Sequence, residues 1–302
     1  MRRVNRSESD RIGGAGSTRL VSRRIAAALL VGLFGAASCG DTSSAPRRCN
    51  GHAELCNRPF DQVAFAGAHN AMSNADDGWL LPNQQHDLAN QLEQGVREFL
   101  IDTHEWQGRT WLCHDYCELG KIPLVEALGI FRDFMDTHPD EVLAFSIQEG
   151  ISNAATEAAF VESGLVKYVY THPVGEPWPT LGQMIDDGTR LLVMTEGSGP
   201  PPAWYQSEFE LSWDTPYFFT SPSEFSCEPF RGSPQNPLFA VNHWLSTPFS
   251  SPENAEQVNV YDVLWPRVEK CREEAGRIPN FVVVDFVSIG DLMRVVDRLN
   301  GV

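Results

Sequence analysis

Phe65-Ala66-Gly67-Ala68-His69-Asn70 begins as an apolar run, breaks at a glycine and ends on an imidazole and an amide. In a parallel α/β barrel, strands end in this way where they turn reactive side chains toward a pocket. Gly95-Val96-Arg97-Glu98-Phe99-Leu100-Ile101-Asp102-Thr103-His104 repeats the pattern, an apolar strand finishing in polar residues. Leu100, Asp102 and His104 alternate by two and therefore share one face of that strand. Trp111-Leu112-Cys113-His114-Asp115-Tyr116-Cys117 then sets a second imidazole inside a cysteine-flanked turn.

Further strand-like runs follow at Val142–Gln148, Arg190–Thr195, Leu238–Asn242 and Phe281–Phe286, alternating with helix-like segments. Pro123 can open a helix at its first position, with Leu124, Leu128, Phe131 and Met135 on a 3.6-residue rhythm. Asn153 to Ser163 and Val258 to Gly276 read as helices, and Thr180-Leu181-Gly182-Gln183 is a capping-box start. Such alternation implies a mostly parallel sheet with crossover helices. Val282-Val283-Val284 fits a strand buried on both faces. About 250 residues from Cys49 onward suit one α/β domain, a TIM-type (β/α) barrel. Gly197–Pro237, rich in Pro, Ser and aromatics, breaks the pattern and is expected to be an elaborated rim with a weak or missing βα unit.

The first 38 residues stand apart. Arg19, Arg23 and Arg24 precede an apolar run from Ile25 to Phe34, then Gly35-Ala36-Ala37-Ser38 and Cys39. That is the make-up of an export signal, and the run is shorter than the ~20 residues a membrane span wants. Small residues before Cys39 allow a bacterial lipoprotein with Cys39 lipidated, whereas Ala36 stands where such sites usually carry Leu; both readings stay open. Ser22-Arg23-Arg24 matches a twin-arginine signal poorly. Residues 39–48 read as a polar, disordered tether, and 49–302 as the barrel. The protein is expected to be secreted or anchored in the cell envelope, and monomeric.

Setting Cys39 aside leaves six cysteines, an even set that in an exported chain argues for disulfides. The sequence does not fix their pairing; proximity suggests Cys49–Cys56, Cys113–Cys117 and Cys227–Cys271. A metal site from Cys113, His114, Asp115 and Cys117 is the alternative, though the spacing matches no common zinc pattern. The chain carries −17, and its leader holds seven Arg against Glu8 and Asp10, so the remainder stands near −22. Such acidity repels nucleic acid and anionic bilayers. Nucleic acid is excluded as a partner, and membrane contact is expected only through a lipid on Cys39.

Two imidazoles and a carboxylate suit phosphodiester cleavage, where one His takes a proton from the nucleophile and the other protonates the leaving oxygen. AGAHNAMS, GVREFLIDTH, WLCHDYC, EVLAFSIQE and PNFVVVDFV, in this order, resemble the X domain of phosphatidylinositol-specific phospholipases C, over about Phe60 to Asn300. The resemblance implies a distorted, incompletely closed barrel. It implies that His69 is the general base on an inositol hydroxyl and that His114 protonates the leaving alcohol, giving a cyclic phosphate first. Asp285 would support the first His, fixing its tautomer as in triad logic. The substrate would be a phosphodiester lipid or a soluble inositol phosphodiester. Asn70 and Asp102 match calcium-ligand positions of the metal-dependent members, and both are hard oxygen donors. Leu100 stands where a Glu is usual and Gln148 replaces another, so Ca²⁺ at Asn70, Asp102 and Gln148 is expected to be weak. Glu149 should point away from the pocket, and Arg97, on the opposite face, is a poor partner for phosphate.

His104, Thr195, Glu196 and His243 sit near strand ends and are candidates for binding substrate, with Glu105 and Asn242 as softer ones. His86, His138 and His172 look like loop or helix-end residues. Trp79, Trp106, Trp111, Trp204, Trp213 and Trp244 are candidate mouth walls, although core packing is the default for an aromatic. Two rivals remain. A glycerophosphodiester phosphodiesterase also uses a barrel and two histidines, but wants a Glu soon after the first His, where Asn70-Ala71-Met72 has none. A degenerate barrel binding inositol phosphates or glycans would explain the missing acidic ligands, but not the retention of both His segments and Asp285.

Overall fold

Apolar four- to nine-residue runs become strands and amphipathic stretches become the helices covering them. In chain order these are β1 (Phe65–Ala68), α1 (Leu88–Glu93), β2 (Glu98–Trp106), β3 (Arg109–Leu112), β4 (Ile122–Pro123), α2 (Leu124–Thr137) and β5 (Leu143–Gln148). There follow α3 (Asn153–Ser163), β6 (Val169–Tyr170), α4 (Leu181–Asp186), β7 (Leu191–Thr195), β8 (Tyr205–Ser207), α5 (Glu208–Leu211) and β9 (Ser212–Asp214). The chain closes with β10 (Arg231–Gly232), β11 (Leu238–His243), α6 (Pro252–Val258), α7 (Tyr261–Ala275), β12 (Phe281–Val284) and α8 (Leu292–Asn300). The computed structural model describes residues 46–302, which form one compact unit. The leader, Cys39 and most of the predicted tether lie outside the described residues. The tether's end is held rather than free, because Arg47 ion-pairs with Asp186 at 2.6 Å and Asp140 at 3.3 Å.

Nine strands pair in parallel, eight of them in the order β8-β7-β5-β2-β1-β12-β11-β9 that gives the curvature of a TIM-type barrel, while the short β6 also pairs with β7. The ring does not close, since among the described residues no pairing joins β8 to β9. The four-residue α5 links those two strands directly, where a full crossover helix would stand in a regular barrel. This is the missing unit expected within Gly197–Pro237. The same segment supplies β10, which pairs antiparallel with β9 and sets Arg231 opposite Asp214.

Inside the barrel, Phe65, Ala144, Leu192, Met194, Leu238, Ala240, Phe281 and Val283 pack together. Outside, α2, α3, α7 and α8 bury Leu128, Phe131, Phe160, Val268 and Val295 against the sheet. Helix α2 begins one residue later than predicted. Pro123 caps it from outside and also pairs in β4. Thr180 forms the predicted capping box with Gln183. Three disulfides join Cys49 to Cys56, Cys113 to Cys117 and Cys227 to Cys271. With both thiols of the His114 turn bridged, the metal reading of that turn falls.

Candidate active site at the carboxyl ends of the strands

His69 follows β1 and Asp285 follows β12, and these strands are hydrogen-bonded neighbours in register. Gln84, fully buried, fastens both strand tips: its amide donates to the carbonyls of His69 (2.8 Å) and Val284 (3.2 Å). The residue after each of three chemically important positions has left-handed backbone: Asn70 (φ 45°), Asp115 (φ 54°) and Phe286 (φ 49°). Asn and Asp tolerate that region through short polar side chains, whereas for Phe286 it is strained backbone of the kind that gathers at functional sites. In each case the chain turns sharply away just after His69, His114 or Asp285.

The histidine pair is well defined. His69 Nδ1 lies 2.8 Å from Asp285 Oδ1. Because an ionised carboxylate only accepts, Nδ1 carries the proton and Nε2 keeps its lone pair for a substrate proton. Asn83 Nδ2 donates to the same Oδ1 at 3.1 Å, and Ser250 Oγ donates to Oδ2 at 2.7 Å. The His69 ring stacks on Trp244 with centroids 3.8 Å apart. The amide nitrogen of Asn70 lies 3.2 Å from His69 Nε2 and 3.3 Å from His114 Nε2, so one side chain spans both imidazoles. Burial, reinforced by the neighbouring His69, pulls His114 below the ordinary histidine range, against the opposing pull of Asp115 and Asp285. An anion between the rings would favour the protonated form of His114.

Both imidazoles, Asn70, Asp102, Gln148 and Asp285 line one cavity of about 570 Å³. A smaller recess of about 100 Å³ adjoins it, shared by His69, Asn70, Asp102, Gln148 and Trp244 and continued by Glu196 and Arg231. Arg231 bonds Asp214 through Nη2 at 2.6 Å and Glu196 through Nη1 at 2.8 Å. Burial opposes its charge, yet Asp214, Glu196 and Glu208 more than reverse that, holding the guanidinium above its ordinary value. Burial, with Glu196 and Asp115 nearby, lifts Asp102 to about 8. Beneath lies a second crowded pair. Burial, Glu196 and Asp214 lift Glu208 to about 8, while burial and Glu208 push Glu98 well above the carboxylate range. One oxygen of each, Glu98 Oε2 and Glu208 Oε2, has no hydrogen-bond partner among the described residues.

Several expected site residues stand elsewhere. β2 leaves the barrel beyond Asp102 and pairs antiparallel with β3, which sets His104 opposite Trp111 in a hairpin outside the cavity. His243 is fully buried, sharing a hydrogen bond with Arg267 at 3.1 Å and donating to the Val258 carbonyl at 2.9 Å. Burial, with Arg267 beside it, lowers His243 to about 3, so it is a neutral packing residue. Thr195 is buried at the end of β7, where its hydroxyl accepts from Gly197 N. Glu196 does reach the recess, and Asn242 acts behind it, donating to Asp214 at 3.0 Å. Glu149 turns away to accept from Ser198 N, and Arg97 is committed to Glu141 at 2.6 Å, both as expected. Of the tryptophans, Trp79 and Trp244 line the mouth, while Trp213 stacks on Phe239 and Trp204 packs on Phe160.

Missed altogether were Asn83, Ser250, Glu98, Glu208, Asp214, Arg231 and Ser146, which lines the recess from β5. Glu98 had a readable signal. Extending the Leu100, Asp102, His104 alternation back two residues places it on the same inward face. For Arg231 no periodic pattern existed.

The structure thus presents an open parallel barrel with an Asp-bonded histidine and a second histidine lining one cavity at the strand ends. The family model PI-PLC X 1 matches residues 55–300. The chain belongs to the PI-PLC X domain family. It is 27% identical over 286 residues to PI-PLC X domain-containing protein 1 of Arthroderma benhamiae, covering 84% of this chain and 89% of that one. A protein of the same fungus described as an uncharacterized secreted protein is 28% identical over 309 residues, covering 89% and 69%. A PI-PLC X domain-containing protein of Arabidopsis thaliana is 28% identical over 274 residues, covering 80% of this chain and 63% of that one. Among solved structures, phosphatidylinositol-specific phospholipase C of Staphylococcus aureus superposes with a TM-score of 0.55 at 12% identity, covering 80% of this chain and 94% of its own. At that identity the likeness concerns the fold.

Proposed function

We propose that this protein is an extracellular phosphoric diester hydrolase that cleaves an inositol phosphodiester by paired histidine acid–base catalysis. The observation that carries this reading is the convergence of His69, held by Asp285, and His114 on the single amide of Asn70. His69 Nε2 removes the proton of a substrate hydroxyl adjacent to the phosphate, and that oxygen attacks phosphorus. His114 protonates the leaving alkoxide, and a cyclic phosphate results; in a second step the roles reverse and water opens the ring. Arg231, held from behind by Asp214, and Glu196 offer a charged donor and an acceptor to a polyhydroxylated head group in the recess. The three disulfides and the secreted relative support an extracellular location.

Asn70, Asp102 and Gln148 would hold a calcium ion weakly, through one carboxylate and two neutral amides, and bound there it would offset phosphate charge. The fit rests on Asp102, whose carboxylate sits among Glu196 and Asp115 in a surplus of negative potential. Because Asp102 is lifted to about 8, calcium must displace its proton, which weakens binding further at neutral pH. Turnover of phosphatidylinositol and of glycerophosphodiesters, each with calcium and with chelator, tests the whole reading. Preferred cleavage of the inositol substrate is expected, with activity rising modestly on added calcium. Preference for glycerophosphodiesters, or turnover of neither, would overturn it.

A further inference from the structure

The loop from Ser246 to Ser251 gives its two neighbouring residues opposite tasks. Phe249 is 58% exposed and lines the mouth together with Phe218 (69%) and Leu80 (62%), each delivered by a different loop. Ser250, the next residue, turns inward and donates its hydroxyl to Asp285 Oδ2 at 2.7 Å. Oδ1 already serves His69 and Asn83, so among the described residues Ser250 is the side chain that fixes the second carboxylate oxygen. The carboxylate torsion is broad and two-fold when free, and a hydrogen bond to an ionised oxygen is about twice as strong as a neutral one. Engaging both oxygens therefore sets the plane in which Asp285 meets the imidazole. Elsewhere the loop is held by the Asn254 amide, which reaches the carbonyls of Thr247 (3.2 Å) and Phe249 (3.0 Å). A shift of Phe249 is thus carried by one peptide unit into the Ser250 hydroxyl.

We infer that Ser250 is a positioning residue of the His69–Asp285 pair, and that an alkyl group of the substrate seated against Phe249 adjusts that pair through the loop. The inference rests on the hydrolase reading above and adds to it the residue that aims the Asp285 carboxylate at His69. Phe249, Phe218 and Leu80 offer an alkyl group apolar contact within a cavity that Asp115 and both histidines also line.

The test uses the whole protein and two phosphodiesters with the same head group, one with an alkyl-bearing leaving alcohol and one without. The proton NMR resonance of His69 Nδ1–H reports the imidazole–carboxylate bond independently of turnover. Ser250→Ala should shift or broaden that resonance and lower kcat about tenfold on both substrates with KM within about twofold, and Ser250→Thr should restore both. Phe249→Ser should lower kcat on the alkyl substrate, and by less in the Ser250→Ala background, because coupled residues are non-additive. An unmoved resonance in Ser250→Ala ends the positioning role; additive effects in the double variant end the coupling. Absence of turnover by the wild type ends the hydrolase reading instead, and the resonance still decides Ser250.

Discussion

The two sides of the mouth are built on opposite electrostatic principles. On the β1–β12 side, Asp285 is a buried carboxylate whose oxygens receive three donors, from His69, Asn83 and Ser250. Its charge is fully spoken for. On the β2–β7–β9 side, Glu196, Glu208 and Asp214 crowd around Arg231 while Asp102 shares the recess with Glu196, and burial with like-charge repulsion lifts Asp102 and Glu208 to about 8. That side is short of positive charge. A satisfied carboxylate orients an imidazole for proton transfer, whereas an under-neutralised cluster gains from a ligand bringing hydroxyls or a cation. One side is suited to chemistry and the other to binding.

Substitutions should therefore part along kcat and KM. His69→Ala and His114→Ala should each cost at least a hundredfold in kcat, about 2.7 kcal/mol of transition-state stabilisation, with folding retained. Turnover within tenfold of wild type for either would erase the contrast. Across the mouth, Arg231→Met should act mainly on KM, lowering kcat/KM by roughly ten- to a hundredfold, since a hydrogen bond to a charged group is worth ~1.5–3 kcal/mol. Arg231→Lys should recover part of that, keeping the charge but losing the fork that meets Asp214 and Glu196. An equal fall in kcat and kcat/KM for Arg231→Met would move Arg231 to the chemical side.

The difference between the sides also explains what was legible in the sequence. His69, His114 and Asp285 each close a strand or sit in a short turn, so local pattern placed them. The parallel strands and principal helices followed from periodicity, and so did the interruption at Gly197–Pro237. The binding side is assembled from parts that local pattern does not connect. Arg231 sits on β10, a two-residue strand that pairs antiparallel inside the irregular segment, and only the tertiary fold brings it to Glu196. His104 misled for a related reason: alternation along β2 continues, but the strand leaves the barrel and becomes half of a hairpin. His243 ends a barrel strand as His69 nearly does, yet Arg267 and the Val258 carbonyl consume it. Residue type and strand position do not reveal which imidazole keeps a free nitrogen.

The smallest expected effect concerns stability and comes from beneath the binding side. Glu208 occupies α5, the four-residue link across the open seam, and one of its oxygens has no hydrogen-bond partner among the described residues. Its folded value of about 8 lies above the ordinary 4.5. Below 4.5 the folded and unfolded chains both hold this proton, and the contribution to stability is complete. Between there and about 8 the unfolded chain releases the proton while the folded chain keeps it, so stability falls as pH rises. Glu208→Gln keeps the shape and cannot ionise, so it removes this penalty. It should leave the melting temperature nearly unchanged at pH 4.5 and raise it at pH 8 by roughly 3–10 °C, since each kcal/mol is worth about 2–4 °C in a chain of this size. The same shift at both pH values would mean that packing at the seam, and not the buried charge, sets the effect. The binding side would then be crowded without being electrostatically strained.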